Sequence, residues 1–226
     1  MEPPARRIAM LLAACALAAP AAARAADPPA PTGGTSAPDA EPALIATPDV
    51  LAGKVARFRG AFTPSDAGRT VIVERFDDAT ASWLPVSSAT VGDDGSYYAR
   101  WRADVTGQHR TRARLDTQGA ALLATAPEQE ASLTVYRPAV ASWYGPGLYG
   151  RKTACGLKLT RTLLGVAHRK LPCGTEVALT YGGRSITVPV VDRGPFHPGR
   201  RWDLTAATAK ALDFTFTDRI GALRLG

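Results

Sequence analysis

The 226-residue chain is 46% apolar and 21% charged, an ordinary globular composition that leaves room for one large or two small domains and excludes a chain too polar to build a core. Its formal net charge of +7 is unevenly spread. Residues 139–226 carry 13 basic and 5 acidic side chains, which favours an anionic partner. No recognised DNA- or RNA-binding motif is present, so that partner is expected to be an anionic wall polymer or lipid surface and not nucleic acid.

Residues 1–26 read as a signal peptide: Arg6 and Arg7 precede an apolar run from Ile8 to Ala19, and small residues follow at 21–26. An exported protein is expected, either secreted or held at the cell envelope. Leu12-Ala13-Ala14-Cys15 resembles a bacterial lipobox, which would leave the chain anchored through Cys15. No later stretch approaches the roughly 18 apolar residues of a membrane span, so no transmembrane segment is expected. Residues 27–45 are rich in Pro, Ala and Gly and short of bulky apolar side chains. They cannot offset the entropy of ordering and read as a disordered linker.

Between residues 46 and 137, short β-favourable segments alternate with turn signals: Lys54 to Gly60, Arg69 to Phe76, Ser82 to Ser88, Ser96 to Arg102, Gln108 to Leu115 and Ala131 to Arg137. Gly92-Asp93-Asp94-Gly95 punctuates them. Six or so short strands predict an immunoglobulin-like β-sandwich resembling bacterial surface modules. Tyr97, Ala99 and Trp101 would line its inner face, and His109 is expected to be an exposed strand residue.

Pro138 is expected to start a second unit, residues 138–226. Its apolar segments are Val140 to Tyr144, Leu164 to His168, Glu176 to Tyr181, Arg184 to Val191, Trp202 to Leu204 and Ile220 to Leu225. Gly182-Gly183 marks a hairpin. Thr205 can cap one alanine-rich helix over 206–212. Six strands and one short helix predict a small closed β-barrel, because closure removes exposed sheet edges; the whole chain is therefore expected to be all-β. Once the leader is removed, Cys155 and Cys173 are an even pair in an oxidising compartment, and a disulfide between them would close a loop of about 19 residues. No second Cys-x-x-Cys and no His-x-x-x-His accompanies them, so no metal site is expected.

Chemistry concentrates where the apolar run Val190-Val191 stops on Asp192, followed by Arg193-Gly194-Pro195-Phe196. Such a strand end can hold a carboxylate in a cleft. Four more motifs run in order with it: Ala141-Ser142-Trp143-Tyr144-Gly145, Gly150 to Gly156, Ala167-His168 through Thr175, and Asp203-Leu204. Together they resemble the rare-lipoprotein-A family, which has a double-psi β-barrel, the fold of expansins and family 45 endoglucanases. Its characterised members are septal peptidoglycan lytic transglycosylases. The resemblance implies Asp192 as the catalytic aspartate, His168 as the active-site histidine, peptidoglycan glycan strands as partner and no cofactor; the chain is expected to be a monomer. The family's second acid falls at Leu157 in this sequence, which removes one of the two carboxyl groups that a two-acid glycosidase needs.

A lytic transglycosylase closes a 1,6-anhydro ring with the sugar's own 6-hydroxyl, so Asp192 could serve first as acid and then as base. Trp143, Tyr144 and Phe196, with Trp202, are candidates for a sugar-stacking wall, although the tryptophans could equally be core. Arg193 and Arg200 are candidates for binding the substrate's anionic groups, and Asp203 is expected to brace the chain before the helix. Two other readings stay open: a non-catalytic, expansin-like wall-binding protein, and a hydrolase drawing a second carboxylate from Glu176 or Asp213.

Overall fold

The computed structural model describes residues 43–117 and 128–226. The expected signal peptide, Cys15 and residues 27–42 of the expected linker lie outside them. The strands run β1 (Ile45–Ala46), β2 (Asp49–Leu51), β3 (Val55–Ala61), β4 (Thr70–Asp77), β5 (Ser82–Thr90), β6 (Ser96–Arg102) and β7 (Gly107–Leu115). They continue as β8 (Gln129–Tyr144), β9 (Val166–Ala167), β10 (Glu176–Tyr181), β11 (Arg184–Asp192), β12 (Trp202–Thr205) and β13 (Asp218–Arg224), with one α-helix, α1 (Ala206–Leu212), after β12. The described residues are therefore mostly β, and no helix among them is long and apolar enough to cross a membrane.

Two hydrophobic cores form. The first lies between a three-stranded sheet, β1-β3-β6, and the β8-β7-β4-β5 part of a long sheet. Strand β6 shows why: Tyr97, Ala99 and Trp101 alternate inward and are buried, while Ser96, Tyr98, Arg100 and Arg102 face solvent. His109 differs from expectation. It is buried, bonds through Nε2 to the Val105 carbonyl at 2.9 Å and meets the Trp101 ring edge-on at 5.9 Å between centroids.

Strand β8 links the two cores. Its first half pairs with β7 and, in parallel, with β2; its second half pairs with β13 and, in parallel, with β12. Pro138, expected to begin a new unit, lies inside this continuous 16-residue strand, close to where its partners change. The second core gathers Val166, Val177, Leu179, Val188, Trp202, Leu204, Leu212 and Ile220 around β9 to β13 and α1. Gly221 allows close approach there: a Cβ on it would come within 2.6 Å of Leu51 and Thr180 and 2.8 Å of Tyr136. Asp49 ties β2 to its surroundings, accepting from Tyr136 Oη at 2.8 Å and from Ser185 Oγ on β11.

Candidate active site

Strand β11 ends in a bulge. Val190 pairs with Val166 and Asp192 pairs with Ala167, so Val191 is the extra residue between two otherwise adjacent partners. The displaced Val191 side chain sits against Gly165, where an added Cβ would lie 2.5 Å from both of its γ carbons. The absent side chain at residue 165 thus makes room for the bulge, and the bulge sets Asp192 beside Ala167 in place of Val191.

Ala167 has a second neighbour. On its other side it pairs antiparallel with Asp203 of β12, and Asp203 pairs in turn with Ser142 of β8. One row across four strands therefore reads Ser142, Asp203, Ala167, Asp192. Paired residues on adjacent strands share a face, and strands lie about 4.8 Å apart, so the two aspartates stand on one face with Cα atoms roughly 10 Å apart and only a methyl group between them.

Both carboxylates line a cleft of about 270 Å³ with Tyr144, Thr153, Ala167 and the cations Arg151, Lys152 and Arg193. Asp192 Oδ1 accepts from the amides of Ala154 and Arg193, each at 2.8 Å, which fixes the orientation of the carboxyl group. Asp203 is held differently: Ser142 Oγ donates to its Oδ1 at 2.8 Å. Burial pushes the Asp203 pKa up and the charge of Asp192 adds to the rise, against the Ser142 hydroxyl and the charges of Arg200 and His197. The Tyr144 hydroxyl is buried and faces the Asp192 carboxylate; burial, then the charge of Asp192 and a hydrogen bond toward it, then the charge of Asp203, drive its pKa upward.

The Cys155–Cys173 disulfide is present, with Cα atoms 5.7 Å apart. It anchors the segment whose Ala154 amide holds Asp192, and Arg193 packs over it, donating to Cys173 Sγ at 3.4 Å and to the His168 carbonyl at 3.3 Å. Arg169 was not singled out in the sequence, yet it braces the loop after Asp192 by donating to the carbonyls of Pro195, His197 and Arg200.

The structure brings Asp192, Tyr144 and Arg193 into the cleft, and it adds Asp203. It does not bring the rest of the expected set there. His168 turns away: its Nδ1 accepts from the amides of Lys170 and Leu171, and its ring lies 4.5 Å from that of Trp202, the cross-strand neighbour on the opposite face from Ala167 and Asp203. Trp143 is exposed on the other face of β8 from Tyr144 and donates from Nε1 to the Thr215 carbonyl at 3.0 Å. Phe196 is 79% exposed on the loop beyond Asp192, Arg200 lies near enough to act on Asp203, and Trp202 is core. Leu157 closes a turn with Thr153 and is exposed.

Residues 138–224 match the family model described as lytic transglycolase. This part of the chain is similar to the RlpA-type lytic transglycosylases. It is 49% identical over 75 residues to a probable endolytic peptidoglycan transglycosylase RlpA of Synechocystis sp., covering 32% of this chain and 23% of that protein. It is 50% identical over 74 residues to the protein of the same name from Aquifex aeolicus, covering 32% and 33%. It is 42% identical over 76 residues to an endolytic peptidoglycan transglycosylase RlpA of Campylobacter jejuni, covering 33% and 28%. The chain thus spans a third or less of the length of these three curated relatives.

Proposed function

We propose that the barrel is an endolytic peptidoglycan transglycosylase acting outside the cytoplasm, and that Asp203 stands in for the acid missing at Leu157. The observation that carries the reading is the row in which Asp203 and Asp192 flank Ala167 inside one cleft. Asp203, part-buried and with its pKa pushed upward, donates its proton to the bridging oxygen as the bond from that oxygen to the muramic-acid C1 breaks. The 6-hydroxyl oxygen of the same sugar bonds to C1, and its proton passes to Asp192. No water is consumed, and the two carboxyl groups regain their starting protonation by exchange with solvent. Arg151, Lys152 and Arg193 give the cleft a positive rim for muropeptide carboxylates. Phe196, exposed on the loop beyond Asp192, presents an aromatic face to a longer strand.

Residues 46–137 are read as an immunoglobulin-like spacer, supported by two sheets packed on one core, and residues 1–26 as an export signal. The test is digestion of purified, peptide-stripped glycan strands by wild type and Asp192→Asn. Wild type should release soluble fragments, and the variant should bind the strands equally while releasing none. Equal binding with no release by either protein would favour the non-catalytic, expansin-like reading, which Leu157 supports.

A further inference from the structure

Strand alternation gives β9 and β12 a second chemical face. Ala167 and Asp203 point to the acidic cleft, so their neighbours His168 and Trp202 point to the opposite side, where they line a separate hollow of about 370 Å³ with Arg137, Leu171, Arg201 and Arg224. None of the residues lining it is acidic. Among the described residues, none of the three guanidinium groups has an ion-pair partner or a side-chain hydrogen bond.

Trp202 and His168 complete the same wall. Trp202 is 4% exposed, and its indole N–H is buried without a hydrogen-bond partner among the described residues. The Nδ1 of His168 already accepts two backbone amides, which puts the proton of the neutral ring on Nε2. Burial, then Arg201, Arg193 and Arg169, lower the His168 pKa and so favour that neutral form.

We propose that this hollow is a binding site for an oxyanion carried on a short aliphatic body. Donors with no complementary acceptor select an anion, and planar guanidinium groups suit carboxylate and phosphate oxygens. The volume of about 370 Å³ compares with roughly 30 Å³ for one water in the liquid, which is more room than a bare ion fills. Ala139, Leu171 and Ala222 supply an apolar floor. In a cell wall the chemistry occurs in two places: the terminal carboxylate of a peptidoglycan stem peptide and the phosphate of a wall polymer. Because the hollow and the cleft lie on opposite faces of the same two strands, an occupant here would hold the protein on the wall without entering the cleft.

Binding to the full chain is measured by calorimetry and tryptophan fluorescence, without reference to cleavage. The probes are inorganic phosphate, glycerol phosphate, N-acetyl-D-alanyl-D-alanine and the C-terminal amide of that peptide. We expect at least one of the three anions to bind and the amide to bind at least about tenfold more weakly than the free peptide or not at all. Arg137→Ala/Arg201→Ala should weaken binding about tenfold with an unchanged melting temperature, since both side chains are exposed. Arg224→Ala should weaken it several-fold and carries the test if the double variant fails to fold. Tighter binding of the peptide assigns the stem-peptide source, and tighter binding of glycerol phosphate assigns the polymer source. No binding of any anion up to about 20 mM, or unchanged binding in a folded arginine variant, overturns the proposal.

Discussion

Asp192 and Asp203 flank the same small residue, Ala167, each pairing with it from a neighbouring strand, and both open into one cleft. The pair is asymmetric: two backbone amides hold Asp192, whereas a hydroxyl and burial surround Asp203. Carboxyl groups in unlike environments can divide the acid and base roles of a single reaction.

Asp203→Asn should lower turnover at least a hundredfold and leave glycan binding intact, because the amide cannot donate the acid's proton. Stability should move the other way. The folded-state pKa of Asp203 is raised, so wild type loses stability as pH rises from the unfolded carboxylate value through the folded one. Thermal melts should show the variant equal to or more stable than wild type near pH 7, with the difference shrinking toward pH 3. Higher wild-type stability near neutral pH would contradict the assignment.

Ser142→Ala removes the hydroxyl that holds the Asp203 pKa down. The alkaline limb of the kcat/KM profile, which reports loss of the acid's proton, should therefore shift to higher pH. A profile that keeps its alkaline limb would mean that another group is the acid.

Gly165→Ala tests the bulge. The new methyl group would meet the Val191 γ carbons at about 2.5 Å, and overpacking of this kind costs typically 1–3 kcal/mol. Relief requires Val191 to move, and Asp192 moves with it. Denaturant unfolding should show the loss of stability, and turnover should fall by more than glycan binding does.

The disulfide spans a sequence separation of 18, and a loop of that size stabilises by roughly 3 kcal/mol in the chain-entropy model. Cys155→Ser/Cys173→Ser should lower the melting temperature accordingly. Turnover of the folded fraction should fall as well, because the Ala154 amide that holds Asp192 sits beside Cys155. Full turnover in the folded variant would separate the bridge from the site.

Local signals carried much of the fold. Alternation marked β6 from Ser96 to Arg102, the diglycine marked the hairpin between β10 and β11, and Thr205 marked α1, whose Thr208 amide it caps. Long-range register was not legible. Asp203 was expected to brace the chain before the helix, because nothing near it in sequence shows that β12 pairs with β9 and brings it beside Ala167. His168 illustrates the same gap: adjacent to Ala167, it faces the other side of the strand. The Gly165–Val191 contact was invisible for a further reason, since the bulge it permits exists only once β9 and β11 are paired.

The most direct measurement is digestion of peptide-stripped glycan strands in water enriched in oxygen-18, with mass spectrometry of the products. The account predicts fragments ending in unlabelled 1,6-anhydro sugars, because C1 is captured by the sugar's own hydroxyl. Reducing ends carrying one oxygen-18 atom would show that water attacks C1, and would contradict it.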